Sequence, residues 1–185
     1  MKFDIARQPL IPAFMTLFAL AVAAMCAGIP VPDTSGAVRE ALPLLGGQLA
    51  RFQAAYPVWS KFAAGFMLLF AGMCTGRISI RYNLYTVGTC LPIPLYAIVA
   101  CGIATGGNYL AGFAASMLLA LATKNYCRAF CNGYGFDAIF RASLYLGLMP
   151  LIYAPALPLL LLLPLAVLLF RRTFREVVVA TAGLL

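Results

Sequence analysis

The chain has 185 residues, 64% of them hydrophobic and only 10% charged, with a formal net charge of +8. A soluble domain carries about 25% charged and about 45–50% apolar residues. A water-soluble fold of this size cannot hide so much apolar surface, and composition predicts an all-α polytopic membrane bundle. The basic residues sit at the ends of apolar runs and form no aromatic-interleaved patch. That pattern argues against nucleic acid as a partner and matches the positive-inside rule.

Lys2 and Arg7 precede an uncharged stretch from Gln8 to Pro32. Ala23-Ala24-Met25-Cys26 has the outline of a lipoprotein cleavage site, but Met25 is too large for the position before the cysteine. An uncleaved first span, Leu10 to Ile29, is therefore expected, with the N-terminus cytoplasmic. Pro30 to Gly36 breaks that helix. From Ala37 to Tyr56, Leu45, Leu49, Phe52 and Tyr56 recur at helical spacing, while Pro43 and Gly46-Gly47 interrupt. One or two short amphipathic helices lying in the outer interface are predicted there.

Tyr56 and Trp59 are placed as interfacial aromatics before a second span, Val58 to Thr75. Gly65, Gly72 and Gly76 offer that span a small-residue face for a partner helix. No charge appears between Arg81 and Lys124, a distance that suits two helices. With Gly106-Gly107-Asn108 as the turn, these run from Val87 to Thr105 and from Tyr109 to Thr123. The next uncharged run, Ala142 to Phe170, precedes the cluster Arg171, Arg172 and Arg175. Placing this cluster and Lys124/Arg128 on one side requires two crossings between them, Phe136 to Tyr153 and Pro155 to Phe170. Asp137 and Arg141, spaced i,i+4, can neutralise each other on one helix face. The resulting six-span topology puts ten basic residues inside and three (Arg39, Arg51, Lys61) outside. Residues 1–185 then form a single integral membrane domain. Glu176 to Leu185 begins a further apolar helix too short to cross about 30 Å, so the chain is expected to be the N-terminal part of a longer protein, with that segment a partial C-terminal helix.

Chemistry is sparse. Histidine is absent, which removes imidazole ligands and bases. The six cysteines lie mostly inside apolar runs and predict no disulfide framework and no metal site, and the sequence implies no particular cofactor. The remaining candidates share one outer segment. Asp33 follows the first span and is the candidate catalytic carboxylate, acting as general base on a lipid-linked substrate. Arg39, Glu40 and Arg51 are the candidate substrate-binding residues, the arginines suited to a phosphate. The competing reading makes Asp33 a helix cap and the arginines headgroup anchors.

Asn132-Gly133, Leu146-Gly147-Leu148, Leu151-Ile152-Tyr153-Ala154-Pro155-Ala156, Phe170-Arg171-Arg172, Phe174-Arg175-Glu176 and Ala182-Gly183-Leu184-Leu185 together resemble a pattern in an uncharacterised family of polytopic inner-membrane proteins from Bacteroidota. That resemblance covers the last third of the chain and implies a longer family member. A second resemblance is architectural. A cytoplasmic N-terminus, one span, then an outer loop with interfacial helices and an early acidic residue is similar to membrane glycosyltransferases that use polyprenyl-phosphate sugars. It implies a polyprenyl-phosphate-linked sugar as substrate and Asp33 as its base. The chain lacks the adjacent paired carboxylates of that plan, Glu40 standing seven residues on. The alternative is a non-enzymatic subunit of an envelope or secretion assembly, or a small transporter.

Overall fold

The computed structural model describes residues 10–26, 44–82, 90–103, 109–131, 135–161 and 174–184. Every element among them is helical. In chain order they are α1 (Leu10–Cys26), α2 (Leu44–Ala55), α3 (Pro57–Arg81), α4 (Pro92–Ile103), α5 (Tyr109–Cys131), α6 (Phe136–Ile152), a 3₁₀ segment (Ala154–Leu161) and α7 (Phe174–Leu184). Among the described residues, α3 alone is long and apolar enough to cross a membrane by length and composition. Its 25 residues span about 37 Å at ~1.5 Å per residue.

Contacts fix the relative directions of the helices. Ser60, near the start of α3, hydrogen-bonds Tyr109 at the start of α5. Ala71 and Cys74 pack with Ala120 further along both helices, so α3 and α5 run parallel. Gly65 of α3 lies against Met25 and Gly72 against Leu17, so α1 runs the opposite way. Helix α4 starts with Ile93 against Gly76 and bonds through Tyr96 to Ser116, antiparallel to α3 and α5. The start of α6 sits by the end of α5, with Gly135 against Ala129. Helices α1, α3, α4, α5 and α6 therefore alternate in direction.

Small side chains make up much of the bundle's interior, beside Leu17, Leu68, Ile93, Leu110, Phe113 and Leu146. Ala13, Ala21, Ala64, Ala71, Ala97, Ala100, Ala122, Ala129 and Ala142 are buried. Other bulky apolar side chains are exposed: Phe66 is 67% exposed and Val99 68%. Close helix approach through small residues, with large ones left for lipid, is the packing expected where solvent offers no hydrophobic drive between helices.

The glycine face of α3 is occupied from within the chain. A Cβ at Gly65 would lie 2.6 Å from Met25 Sδ, and one at Gly72 would lie 2.8 Å from Leu17 Cδ1. At Gly76 it would collide with Ile93. These glycines seat α1 and α4 of the same chain, so they are not a surface left open for another subunit. Helices α6 and α7 meet as closely: a Cβ at Gly183 would sit 2.7 Å from the Phe140 carbonyl oxygen, and one at Gly147 2.9 Å from that of Leu184. The C-terminal helix is thus seated on the bundle.

Other departures from expectation have local causes. A single helix, α2, runs through Gly46-Gly47, because Gly46, Ala50 and Gln53 form its buried face. Helix α5 continues past Thr123 to Cys131, supported by the Asn125 amide donating to Leu121 (2.9 Å) and by stacking of Tyr126 on Phe130. Helix α6 stops where the sequence places a turn, with Tyr153 extended. The next residues, expected as the start of an α-helix from Pro155, form a 3₁₀ segment instead. Pro155 and Pro158 lack the N–H groups an α-helix would use, and Pro disfavours the α conformation in the residue before it. Residues 162–173 lie outside the described set.

Replacing Gly72 with Ile should force α1 off α3 and cost about 1–3 kcal/mol. Met73→Ile, at an outward position, should change little. Thermal unfolding of both variants in detergent checks this, and equal midpoints would contradict the packing.

Candidate anion-binding cleft at the basic end of the bundle

Two buried polar side chains, Gln53 of α2 and Ser60 of α3, bond to the start of α5. Leu110 N–H belongs to the first turn of α5, where backbone donors have no helical partner. It donates to Gln53 Oε1 of α2 at 3.3 Å. Ser60, which also donates to the Pro57 carbonyl (2.8 Å), meets the Tyr109 hydroxyl. These bonds tie α2 across the starts of α3 and α5. The buried face of α2 is consequently small and polar, while Leu44, Leu45 and Phe52 are exposed. Beside it a shallow groove of about 490 Å³ is lined by Phe52, Tyr56, Trp59, Phe62 and Ala63. The Phe52 and Tyr56 rings lie 5.6 Å apart.

Of the four predicted site residues, Arg51 is on α2 and exposed. Asp33, Arg39 and Glu40 lie outside the described residues. The described structure therefore brings none of the four together.

The opposite end holds a larger feature that sequence reasoning missed. A cleft of about 900 Å³ opens where α3 and α5 end and α6 begins. Arg77 and Arg81, one helical turn apart, come from α3. Lys124 and Arg128, also one turn apart, come from α5, and Arg141 from α6. Tyr82, Asn125 and Tyr145 add polar groups, and Ile78, Ile93 and Leu121 line it with apolar surface. Arg77 and Lys124 both lie within electrostatic reach of Cys74, which ties the two cation pairs to one place. Parallel α3 and α5 deliver their C-terminal cations side by side, and antiparallel α6 returns with the fifth. The signal was present as two i,i+4 cation pairs, but their convergence depends on helix directions and spacing.

The expected Asp137–Arg141 pair forms, Nε to Oδ1 at 2.9 Å, with both side chains more than half exposed. At such exposure the pair contributes little to stability. Its effect on the cleft is to neutralise one cation. A second carboxylate, Glu176, is 2% exposed in the first turn of α7. There the positive end of the helix dipole favours an anion. Among the described residues no group of three or more His, Cys, Asp or Glu side chains could hold a metal ion.

Comparison with protein-family models, curated proteins and solved structures finds no match.

Gln53→Ala should leave the Leu110 N–H without its partner and cost about 1–3 kcal/mol. Gln48→Ala, on the exposed side of the same helix, should stay within about 0.5 kcal/mol of the parent. Thermal unfolding in detergent measures both. Indistinguishable variants would contradict the capping role.

Proposed function

We propose that the chain is a multi-pass protein of the bacterial inner membrane with a cytoplasmic N-terminus, and that its outer end acts on a polyprenyl-phosphate-linked sugar in the manner of a glycosyltransferase. The observation that carries the membrane reading is the sorting of charge along an alternating bundle. Five basic side chains gather at the end where α3 and α5 finish, and Leu10 of α1 lines the same cleft. Arg51 and Lys61 belong to elements at the other end. The positive-inside rule makes the five-cation end cytoplasmic and puts the start of α1 there too. On this reading α1, α3, α4, α5 and α6 belong to five crossings, and the sixth is the expected span from Pro155 to Phe170, part of which lies outside the described residues.

The glycosyltransferase reading draws on α2. An interfacial helix at the outer end, carrying exposed Arg51 beside an aromatic groove, is the platform such an enzyme needs for a lipid-linked substrate. Asp33 supplies the base and Arg39, Glu40 and Arg51 hold the headgroup. A non-enzymatic membrane subunit is the second reading. It is favoured by interior hydroxyls tied to structural partners: Ser60 to Tyr109, Tyr96 to Ser116, Ser143 to the Ile139 carbonyl.

Asp33→Asn separates the two. Asn keeps a capping oxygen but cannot act as a general base. The enzyme reading predicts normal expression with envelope glycan transfer abolished. Full transfer by a well-expressed variant contradicts it and leaves the non-enzymatic subunit.

A further inference from the structure

We infer that the basic cleft binds the phosphate headgroup of an anionic membrane lipid from the leaflet at that end of the bundle. The inference rests on the membrane reading above and assigns a ligand to a site that the glycosyltransferase reading does not use.

Charge is the first argument. Five cations line the cleft, and the one described carboxylate bonded to any of them, Asp137, is held by Arg141. Five positive groups against one negative leave +4. Cations at helix C-termini are expected in part because each such end carries roughly −0.5 charge. The ends of α3 and α5 bring roughly −1 of that kind and the starts of α4 and α6 roughly +1, so among the described residues roughly +4 remains. Arginine dominates the set, and its planar fork pairs with phosphate oxygens through two parallel hydrogen bonds.

The second argument is the composition of the walls. The cleft does not end at the cations. Phe70, Met73 and Ile80 of α3 line it as well, and each is partly exposed. Phe70 and Met73 lie one to two helical turns before Arg77, toward the middle of α3. A cationic recess is thus continuous with an apolar wall reaching toward the membrane interior. A free phosphate would use the first and leave the second without a partner. A phospholipid satisfies both, with its phosphate among the arginines and an acyl chain along Phe70 and Met73. Basic pockets between membrane helices are suited to such headgroups.

The test uses the full chain purified in a neutral detergent, titrated with fluorescent-tailed phosphatidylglycerol. Phosphatidylcholine with the same tails and inorganic phosphate serve as comparisons. Phosphatidylglycerol should bind roughly tenfold or more tightly than phosphatidylcholine, and its binding should weaken as salt is raised. Arg77→Gln with Arg81→Gln, and separately Lys124→Gln with Arg128→Gln, should each reduce that affinity roughly 10–30-fold. Arg175→Gln, on α7 and not part of the cleft lining, should stay within about twofold, since it removes no cleft contact. Should the double variants fail to fold, the lipid preference and salt dependence of the parent chain decide. Equal affinity for the two lipids, or binding indifferent to salt, overturns the inference. Inorganic phosphate binding as tightly as the lipid overturns the lipid assignment in favour of a soluble phosphate. Extraction of the chain from membranes by alkaline carbonate overturns the membrane reading itself. Retention in the membrane without lipid preference overturns only the inference.

Discussion

Close approach of helices through alanine and glycine governs this molecule. Lipid tails are as apolar as leucine, so burying leucine between helices gains little inside a bilayer, and tight contact must come from small surfaces. The described helices make such contacts. Alanines and glycines fill much of the interior beside Leu17, Leu68, Ile93, Leu110, Phe113 and Leu146, while many other phenylalanine and methionine side chains are exposed. Gly65, Gly72 and Gly76 receive Met25, Leu17 and Ile93, and those three contacts set where α1 and α4 lie against α3. The alternation of directions follows from these contacts, and with it the meeting of the basic helix ends.

That convergence gives the two ends of the bundle different chemistry. At one, α2 lies across the starts of α3 and α5, tied by Gln53 to Leu110, and presents aromatic side chains and Arg51. At the other, helix ends carrying two cations each meet the start of α6 and enclose the cleft. Between the ends, several hydroxyls bond to neighbouring helices or to carbonyls of their own helix. Ser116 illustrates this, meeting the Tyr96 hydroxyl at 3.1 Å and donating to the Phe113 carbonyl at 2.8 Å.

Much of the helical order was legible because apolar runs and punctuation are local signals. The expected limits Phe136 and Tyr153 fall within one residue of those of α6, and the expected Val58 within one residue of the start of α3. The Asp137–Arg141 pair was legible because i,i+4 spacing alone brings the two side chains together. The length of α5 was not, since polarity at Lys124 marks the edge of the apolar stretch but does not end a helix. Helix α2 was divided at Gly46-Gly47 because glycine breaks isolated helices, whereas here Gly46 is a contact residue. The 3₁₀ segment was missed because a leucine-rich run reads as α-helix until its prolines are weighed. The cleft was illegible for a different reason. Its residues are 64 positions apart, from Arg77 to Arg141, and only the packing of three helices joins them. The candidate site around Asp33 drew on residue type and spacing alone, and only Arg51 of that set falls within the described residues.

The central claim is that the alternating helices cross a membrane with the five-cation end inside. Reporter fusions after Arg51, Arg81, Gly107, Arg128 and Arg175 test it most directly. The account predicts an outside signal after Arg51 and Gly107 and an inside signal after Arg81, Arg128 and Arg175. Opposite sides for Arg81 and Arg128 would contradict it, because the two arginines line one cleft.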